Sequence, residues 1–304
     1  MSTQSATPPA PTAPFGTVFG STMAVARWRD GEWDEPTLGP VEPFSMHPAT
    51  HVLHYGSACF EGLKAHRGSD GVVRIFRMDA HARRMEKSAE ILMLPMPPVE
   101  LLSQMIVEAV RANLDEVPAA PGSLYLRPTL VGTVENIGAA AVPSNSALLY
   151  VLTSPVGDYF TGGIRPLKLA IETALPRTTP QFGRVKSGAN YVMALGPTMK
   201  AKRELGIDQV LFAPEGRIQE SGAANFLMID PDRIVTPALS GAFLHGVTRD
   251  SVLTMARDMG YDVEERNVLT VDELMDWAGR DVAEAGLSGP AAVLASVGGL
   301  VKDG

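Results

Sequence analysis

The chain has 304 residues, 45% of them hydrophobic, and carries 26 basic against 34 acidic residues for a formal net charge of −8. That mixed balance leaves no basic stripe to follow a nucleic-acid backbone, and no apolar run reaches the roughly 18 residues that cross a bilayer. The single cysteine, Cys59, excludes an intrachain disulfide and a multi-cysteine metal site, so a cytoplasmic enzyme-sized chain without nucleic-acid or membrane partners is expected.

Residues 1–14, rich in proline and polar residues, read as a disordered leader. His47, His51 and His54 resemble a metal spacing at first sight, but Pro48 and the Tyr55-Gly56 pair argue against one helix carrying all three, and no metal site is expected. Residues 63–77 predict a hairpin around a Gly-Ser-Asp-Gly turn. The next stretch, "MDAHARRMEKSAEILML", predicts a helix with Ala82, Met85, Ala89 and Leu92 on its inner face, Asp79 as N-cap and Pro95 as stop. "VELLSQMIVEAVRANL" predicts a second helix that buries Leu102, Met105, Ile106, Ala109 and Val110. "SLYLRPTLVG" and "SALLYVLTSPVG" read as buried strands.

The Gly-, Asp- and Thr-rich run 157–166 is the expected linker between a smaller domain, 15–156, and a larger one, 167–304. Beyond it, "LKLAIET", "DQVLFA", "RIQE", "NFLMID" and "RIVTPAL" predict strands. Helices are expected at 191–205, with Gly196-Pro197 kinking the chain, at 248–259, and at 271–278 behind a Thr270–Glu273 capping box. Strands and helices segregate rather than alternate, which predicts an α+β fold of two domains instead of a doubly wound parallel sheet.

Four features bear on chemistry. Lys186 stands in "QFGRVKSGANYVMAL", where Gly188 and Ala189 leave room beside the amine for a planar ligand. A lysine in a partly desolvated pocket is a nucleophile toward aldehydes, although a loop lysine in water is the ordinary alternative. Glu220 lies between a strand and a Ser-Gly-Ala-Ala turn, from which a carboxylate can face a pyridine nitrogen. Arg77 ends a strand just before a helix, where a guanidinium can clamp a phosphate, and the backbone amides of Val247 and Thr248 open another helix and suit the same anion.

In that order these features resemble the branched-chain aminotransferases among the fold-type IV pyridoxal-phosphate enzymes. The blocks "HVLHYGSACFEGLKAHRG", "FRMDAHARRM", "LYLRPTLVG", "PVGDYFTGG", "VKSGANY", "GRIQESGAANFL" and "HGVTRD" carry the resemblance over most of the chain. It implies pyridoxal 5'-phosphate joined to Lys186 as an aldimine, with Lys186 also the proton shuttle. Glu220 would pair with the ring nitrogen, Tyr191 with the ring oxygen, and Arg77, Val247 and Thr248 with the phosphate. Tyr55, Phe60 and Tyr159 would wall the substrate side chain, and Arg127 would admit the second carboxylate of glutamate. Ala291 and Ala292 would hold the α-carboxylate. The implied reaction is ping-pong transfer of an amino group between leucine, isoleucine or valine and 2-oxoglutarate, in at least a homodimer.

One departure concerns "SGPAA", residues 288–292, where the family has Ser-Gly-Thr-Ala. Pro290 supplies neither a hydroxyl nor an amide donor, so a phosphate contact is expected to be absent. Three other readings share the scaffold: a lyase of the aminodeoxychorismate type, a D-amino-acid or amine transaminase, and a member that binds cofactor without turnover. Arg127-Pro128-Thr129, in place of the Arg-x-His expected of the D-amino-acid branch, favours the L-branched-chain reading.

Overall fold

The computed structural model describes residues 13–157 and 165–302. These fall into two compact units, one running to residue 157 and taking in Lys186–Gly188, the other made of residues 165 to Val185 and Ala189 to 302. Of the leader only Ala13 and Pro14 are described, and Tyr159 with most of the expected linker lies outside the described residues.

The first unit opens with β1 (Thr22–Arg29), β2 (Glu32–Trp33), β3 (Thr37–Pro40), the short α1 (His51–Tyr55), β4 (Ala58–Phe60), β5 (Leu63–Arg67) and β6 (Val73–Ile75). It continues with α2 (Met78–Ile91), α3 (Val99–Ala112), β7 (Ser123–Gly132) and β8 (Ala147–Val156). The sheet order is β2-β1-β8-β7-β5-β6, with β3 added on β1 and β4 on β7, all antiparallel. The expected hairpin, both helices and both long strands are present. The five inward residues predicted for α3 are all buried, and they meet Ala82, Met85 and Ala89 of α2 in one core with Leu124, Leu126 and Leu130 of β7. At the head of α2 the expectation needs correction. The N-cap residue is Arg77, not Asp79, which sits inside the first turn where a carboxylate favours the positive end of the helix dipole.

A proline at the centre of β7 sets the geometry that follows. Antiparallel pairing joins β4 to residues 129–131 of β7 and β5 to residues 124–126, so Pro128 faces the gap between the two short strands. Its carbonyl accepts from the Glu61 amide at 2.8 Å, so its missing N–H falls in that gap and costs no ladder bond. The gap residue Gly62 leaves no room for a side chain, since a Cβ there would lie 2.0 Å from the Tyr125 hydroxyl.

The second unit comprises β9 (Leu167–Glu172), α4 (Gly188–Leu205, its first residue belonging to the first unit), β10 (Gln209–Phe212), β11 (Asn225–Ile229) and β12 (Arg233–Pro237). It ends with α5 (Val247–Asp258), β13 (Asp262–Arg266), α6 (Val271–Ala278), β14 (Glu284–Gly289) and β15 (Val293–Val301). The sheet order is β10-β9-β15-β14-β11-β12-β13, with three parallel pairs (β9–β10, β9–β15, β12–β13) among antiparallel ones. The Thr270–Glu273 capping box is formed in both directions. "RIQE" is not a regular strand: it makes isolated bridges, Arg217 to Thr270 and Glu220 to Asn225. Helix α4 starts three residues earlier than expected and carries Pro197 inside it, with the Thr198 hydroxyl bonded to the Ala194 carbonyl at 2.7 Å.

Candidate active site

In the first unit Lys186 is 7% exposed. Its amide donates to the Ser88 hydroxyl of α2 at 3.2 Å, and its carbonyl accepts from the Phe60 amide at 3.0 Å. The amine lies 5.0 Å from the centroid of the Phe60 ring, and the Arg127 guanidinium lies 4.6 Å from the same centroid. One aromatic ring thus serves two cations, a contact that strengthens as water is excluded. Arg127 also donates to the Tyr125 hydroxyl at 3.0 Å, while its buried Nε has no partner among the described residues. A cavity of about 480 Å³ opens beside Phe60 and Arg127, walled also by Phe15, Phe19, Tyr125 and Tyr150. An apolar wall with one under-used guanidinium donor suits an apolar side chain or a carboxylate. Tyr55 is not among those walls: its hydroxyl donates to the Ile137 carbonyl and its ring packs against His51 at 4.8 Å.

Just behind Phe60 lies a charged cluster that sequence reasoning did not single out. Glu61 is fully buried and accepts from Arg84 Nε at 2.7 Å, from Arg84 Nη2 at 2.8 Å and from His81 Nδ1 at 2.7 Å. Burial would raise the Glu61 carboxyl, but the Arg84 guanidinium and the bonds from Arg84 and His81 outweigh it and hold the group well below the usual carboxylate range. Burial also pushes the His81 imidazole down from 6.5, and the positive charges of Arg84 and Lys186 add to this against the opposing pull of Glu61. His81 is therefore a neutral donor, and Arg84 supplies the compensating charge. The signal in the sequence is faint: His81 and Arg84 are three apart on α2 and share its inner face with Ala82 and Met85. The three histidines of the metal-like spacing are each engaged with the protein, His51 bonded to Ser57 and Ala139, His54 to Pro48, and His47 to Ala49.

In the second unit Glu220 is 2% exposed, and protein donors address both of its oxygens. Oε1 accepts from Arg177 Nη1 at 2.6 Å and from the Leu244 amide at 3.0 Å, and Oε2 accepts from Asn225 Nδ2 at 3.1 Å. Asn225 also fills the space in front of Gly246, the N-cap of α5, where a Cβ would come within 2.0 Å of its Oδ1. Val247 and Thr248 follow directly, and their amides are among those that open a helix without an acceptor inside it. The Tyr191 ring stands on the first turns of α4, 5.3 Å from the Arg177 guanidinium. The segment before it is pinned by Asn190, fully buried, which receives Thr178 at 2.7 Å and donates to the carbonyls of Phe182 and Val185. Pro290, Ala291 and Ala292 form the turn from β14 to β15, and the buried hydroxyl of Ser288 beside them has no partner among the described residues.

The two units of mixed helix and strand, one holding a buried lysine and the other a buried carboxylate, have the α+β architecture of the fold-type IV enzymes. Residues 58–285 match the family model for amino-transferase class IV, and the chain belongs to that family. It is similar to a probable branched-chain-amino-acid aminotransferase of Streptomyces coelicolor, 37% identical over 95% of this chain and 81% of the relative. A branched-chain-amino-acid aminotransferase of Haemophilus influenzae is 39% identical over 92% of this chain and 82% of its own length. Among solved structures, the branched-chain aminotransferase of the thermophilic archaeon Thermoproteus uzoniensis with norvaline aligns with a TM-score of 0.73 at 26% identity, covering 91% of this chain and 87% of that one. Another branched-chain amino acid aminotransferase, solved with pyridoxamine 5'-phosphate, aligns with a TM-score of 0.74 at 29% identity.

Proposed function

We propose that this chain is a pyridoxal-phosphate-dependent aminotransferase that exchanges the amino group of leucine, isoleucine or valine with that of glutamate, using 2-oxoglutarate as acceptor. The observation that carries the proposal is Lys186, a lysine withdrawn from water with its amine set over the Phe60 ring. The residues suit the cofactor on their own chemistry. Glu220 accepts donors at both oxygens, as an ionised carboxylate does, which is the partner a protonated pyridine nitrogen needs. The buried Ser288 hydroxyl, without a partner among the described residues, is a further polar atom for which a ligand would provide a mate. When bound, the cofactor supplies an aldehyde for the amino group and a ring that takes up electrons from the substrate's Cα.

The protein's own residues then divide the work. Lys186 Nζ takes the Cα proton and returns it. Glu220 holds the ring nitrogen, Tyr191 the ring oxygen, and Arg77 with the amides of Val247 and Thr248 the phosphate. Phe60, and on the sequence resemblance Tyr159, wall the side chain, whereas Tyr55 lies away from this cavity. Arg127 accepts the second carboxylate of glutamate, and the amides of Ala291 and Ala292 take the α-carboxylate. The apolar cavity excludes water from a branched side chain and offers one guanidinium to an acidic one, which accounts for two unlike substrates at one place. We read the protein as a cytoplasmic homodimer or higher oligomer. Leu53 and Ile137 are large apolar side chains left exposed in the first unit, as residues that a second copy would cover are.

Wild-type protein with added pyridoxal phosphate is expected to show a visible absorption band that L-leucine discharges and 2-oxoglutarate restores. Lys186→Ala is expected to lack the band and the exchange. Sedimentation is expected to give at least twice the 32.4 kDa of the chain. A Lys186→Ala variant that keeps the band and the exchange would end the proposal.

A further inference from the structure

Arg177 is 2% exposed and has no part in the roles assigned above. A guanidinium removed from water is tolerated only where its charge and its N–H groups find partners. Here Nη1 meets Glu220 at 2.6 Å, Nε donates to the Gly222 carbonyl at 3.0 Å, and the guanidinium carbon lies 5.3 Å from the centre of the Tyr191 ring. One side chain therefore touches both groups assigned to the cofactor's ring, the carboxylate for its nitrogen and the phenol for its oxygen. The adjacent Thr178 binds Asn190, which in turn grips the Val185 carbonyl next to Lys186 in sequence, so the segment carrying Arg177 is tied at several points.

Resting on the aminotransferase reading, we infer that Arg177 is a positioning residue that fixes Glu220 as the acceptor for the pyridine N–H and thereby sets how firmly the ring keeps its proton. The physical ground is competition for one proton. A carboxylate held by a cation is a poor proton acceptor, so the proton stays on the ring nitrogen and only a hydrogen bond is shared. Without the cation, a carboxylate buried at 2% exposure gains by taking the proton itself, and the ring becomes neutral. A neutral ring withdraws fewer electrons from the nitrogen that joins it to Lys186, and that nitrogen then holds its own proton to higher pH.

The test uses the full-length protein reconstituted with pyridoxal phosphate, comparing wild type with Arg177→Met and Arg177→Lys. The readouts are the pH midpoint of the visible band, the dissociation constant of the cofactor, and the melting temperature of the cofactor-free protein. Arg177→Met is expected to raise the midpoint by about one pH unit and weaken cofactor binding by about tenfold. Arg177→Lys keeps the charge but cannot span Glu220 and Gly222 together, and its midpoint is expected between the two. Should Arg177→Met fail to fold, the Arg177→Lys midpoint decides. A wild-type band left at the same midpoint and affinity by the folded variants, with only the melting temperature lowered, overturns the inference alone. No visible band in the wild-type protein overturns the aminotransferase reading and this inference with it.

Discussion

Arg77 adopts a left-handed backbone, φ +47° and ψ +42°, at the N-cap of α2. For a residue with a Cβ that conformation costs about 1–2 kcal/mol, and such cost persists where the side chain has a task. Glycine would serve the turn better, so the arginine is explained by its guanidinium rather than by the fold. Two substitutions separate these contributions. Arg77→Ala and Arg77→Gly are both expected to weaken pyridoxal-phosphate binding by about ten- to a hundredfold through the lost charge-assisted bond. Only Arg77→Gly relieves the backbone, so cofactor-free Arg77→Gly is expected to exceed Arg77→Ala in unfolding free energy by about 1 kcal/mol in denaturant titrations. Undiminished cofactor affinity in both variants would remove Arg77 from the phosphate set. Pro290 differs: it lies in the turn after β14, where it has neither the hydroxyl nor the amide donor that a threonine would bring.

Helix α5 opens on a glycine N-cap, Gly246, packed tightly against Asn225. The Asn225 side chain occupies the position of the absent Cβ while bonding to Glu220 and to the Leu244 carbonyl. Gly246→Ala forces a collision at 2.0 Å, and the atom that must yield belongs to the asparagine that steadies Glu220. Cofactor affinity is expected to fall at least about tenfold, with destabilisation of about 1–3 kcal/mol as for an overpacked core. Isothermal titration and thermal melts check the two effects, and a neutral Gly246→Ala would show that the helix start and Glu220 are independent. How far the sequence carries this picture depends on the element. The apolar period of α3 announces every buried position, because each of those side chains meets the core through the helix's own repeat. The strands β1, β13, β14 and β15 are not legible in the same way, since their burial depends on neighbours distant in the chain and their residues alternate poorly. Lys186 and Glu220 are legible only through ordered blocks resembling a family. Arg177 lies outside those blocks, and Arg84 lies inside one without being marked out by it, because a buried arginine looks like any surface arginine until its carboxylate partner, 43 or 23 residues away, is brought to it.

At the scale of the whole molecule, most carboxylates are exposed, and even those held low by an arginine, such as Asp70 and Asp208, are screened by solvent and add little to acid stability. The Glu61, His81 and Arg84 cluster is another matter, being buried in the core of the first unit. His81 is held below its ordinary 6.5 in the folded protein, so just under that pH the unfolded chain binds a proton that the folded chain does not. Folding stability contributed by neutral His81 is therefore complete above 6.5 and declines as pH falls below it, by up to about 1.4 kcal/mol per pH unit. Glu61 acts in the same direction but deeper in acid. Its carboxyl is lowered from 4.5, so its contribution is complete above that value and is lost only as pH drops toward the folded-state value. Glutamine in place of His81 keeps a donor for Glu61 and cannot titrate. Unfolding free energies of wild type and His81→Gln, measured in cofactor-free protein between pH 7.5 and 5.5, are expected to converge as pH falls, because only the wild type loses the His81 contribution. Parallel pH profiles would mean that His81 takes up its proton in the folded state as readily as in the unfolded chain, with Arg84 and Lys186 offering no effective opposition.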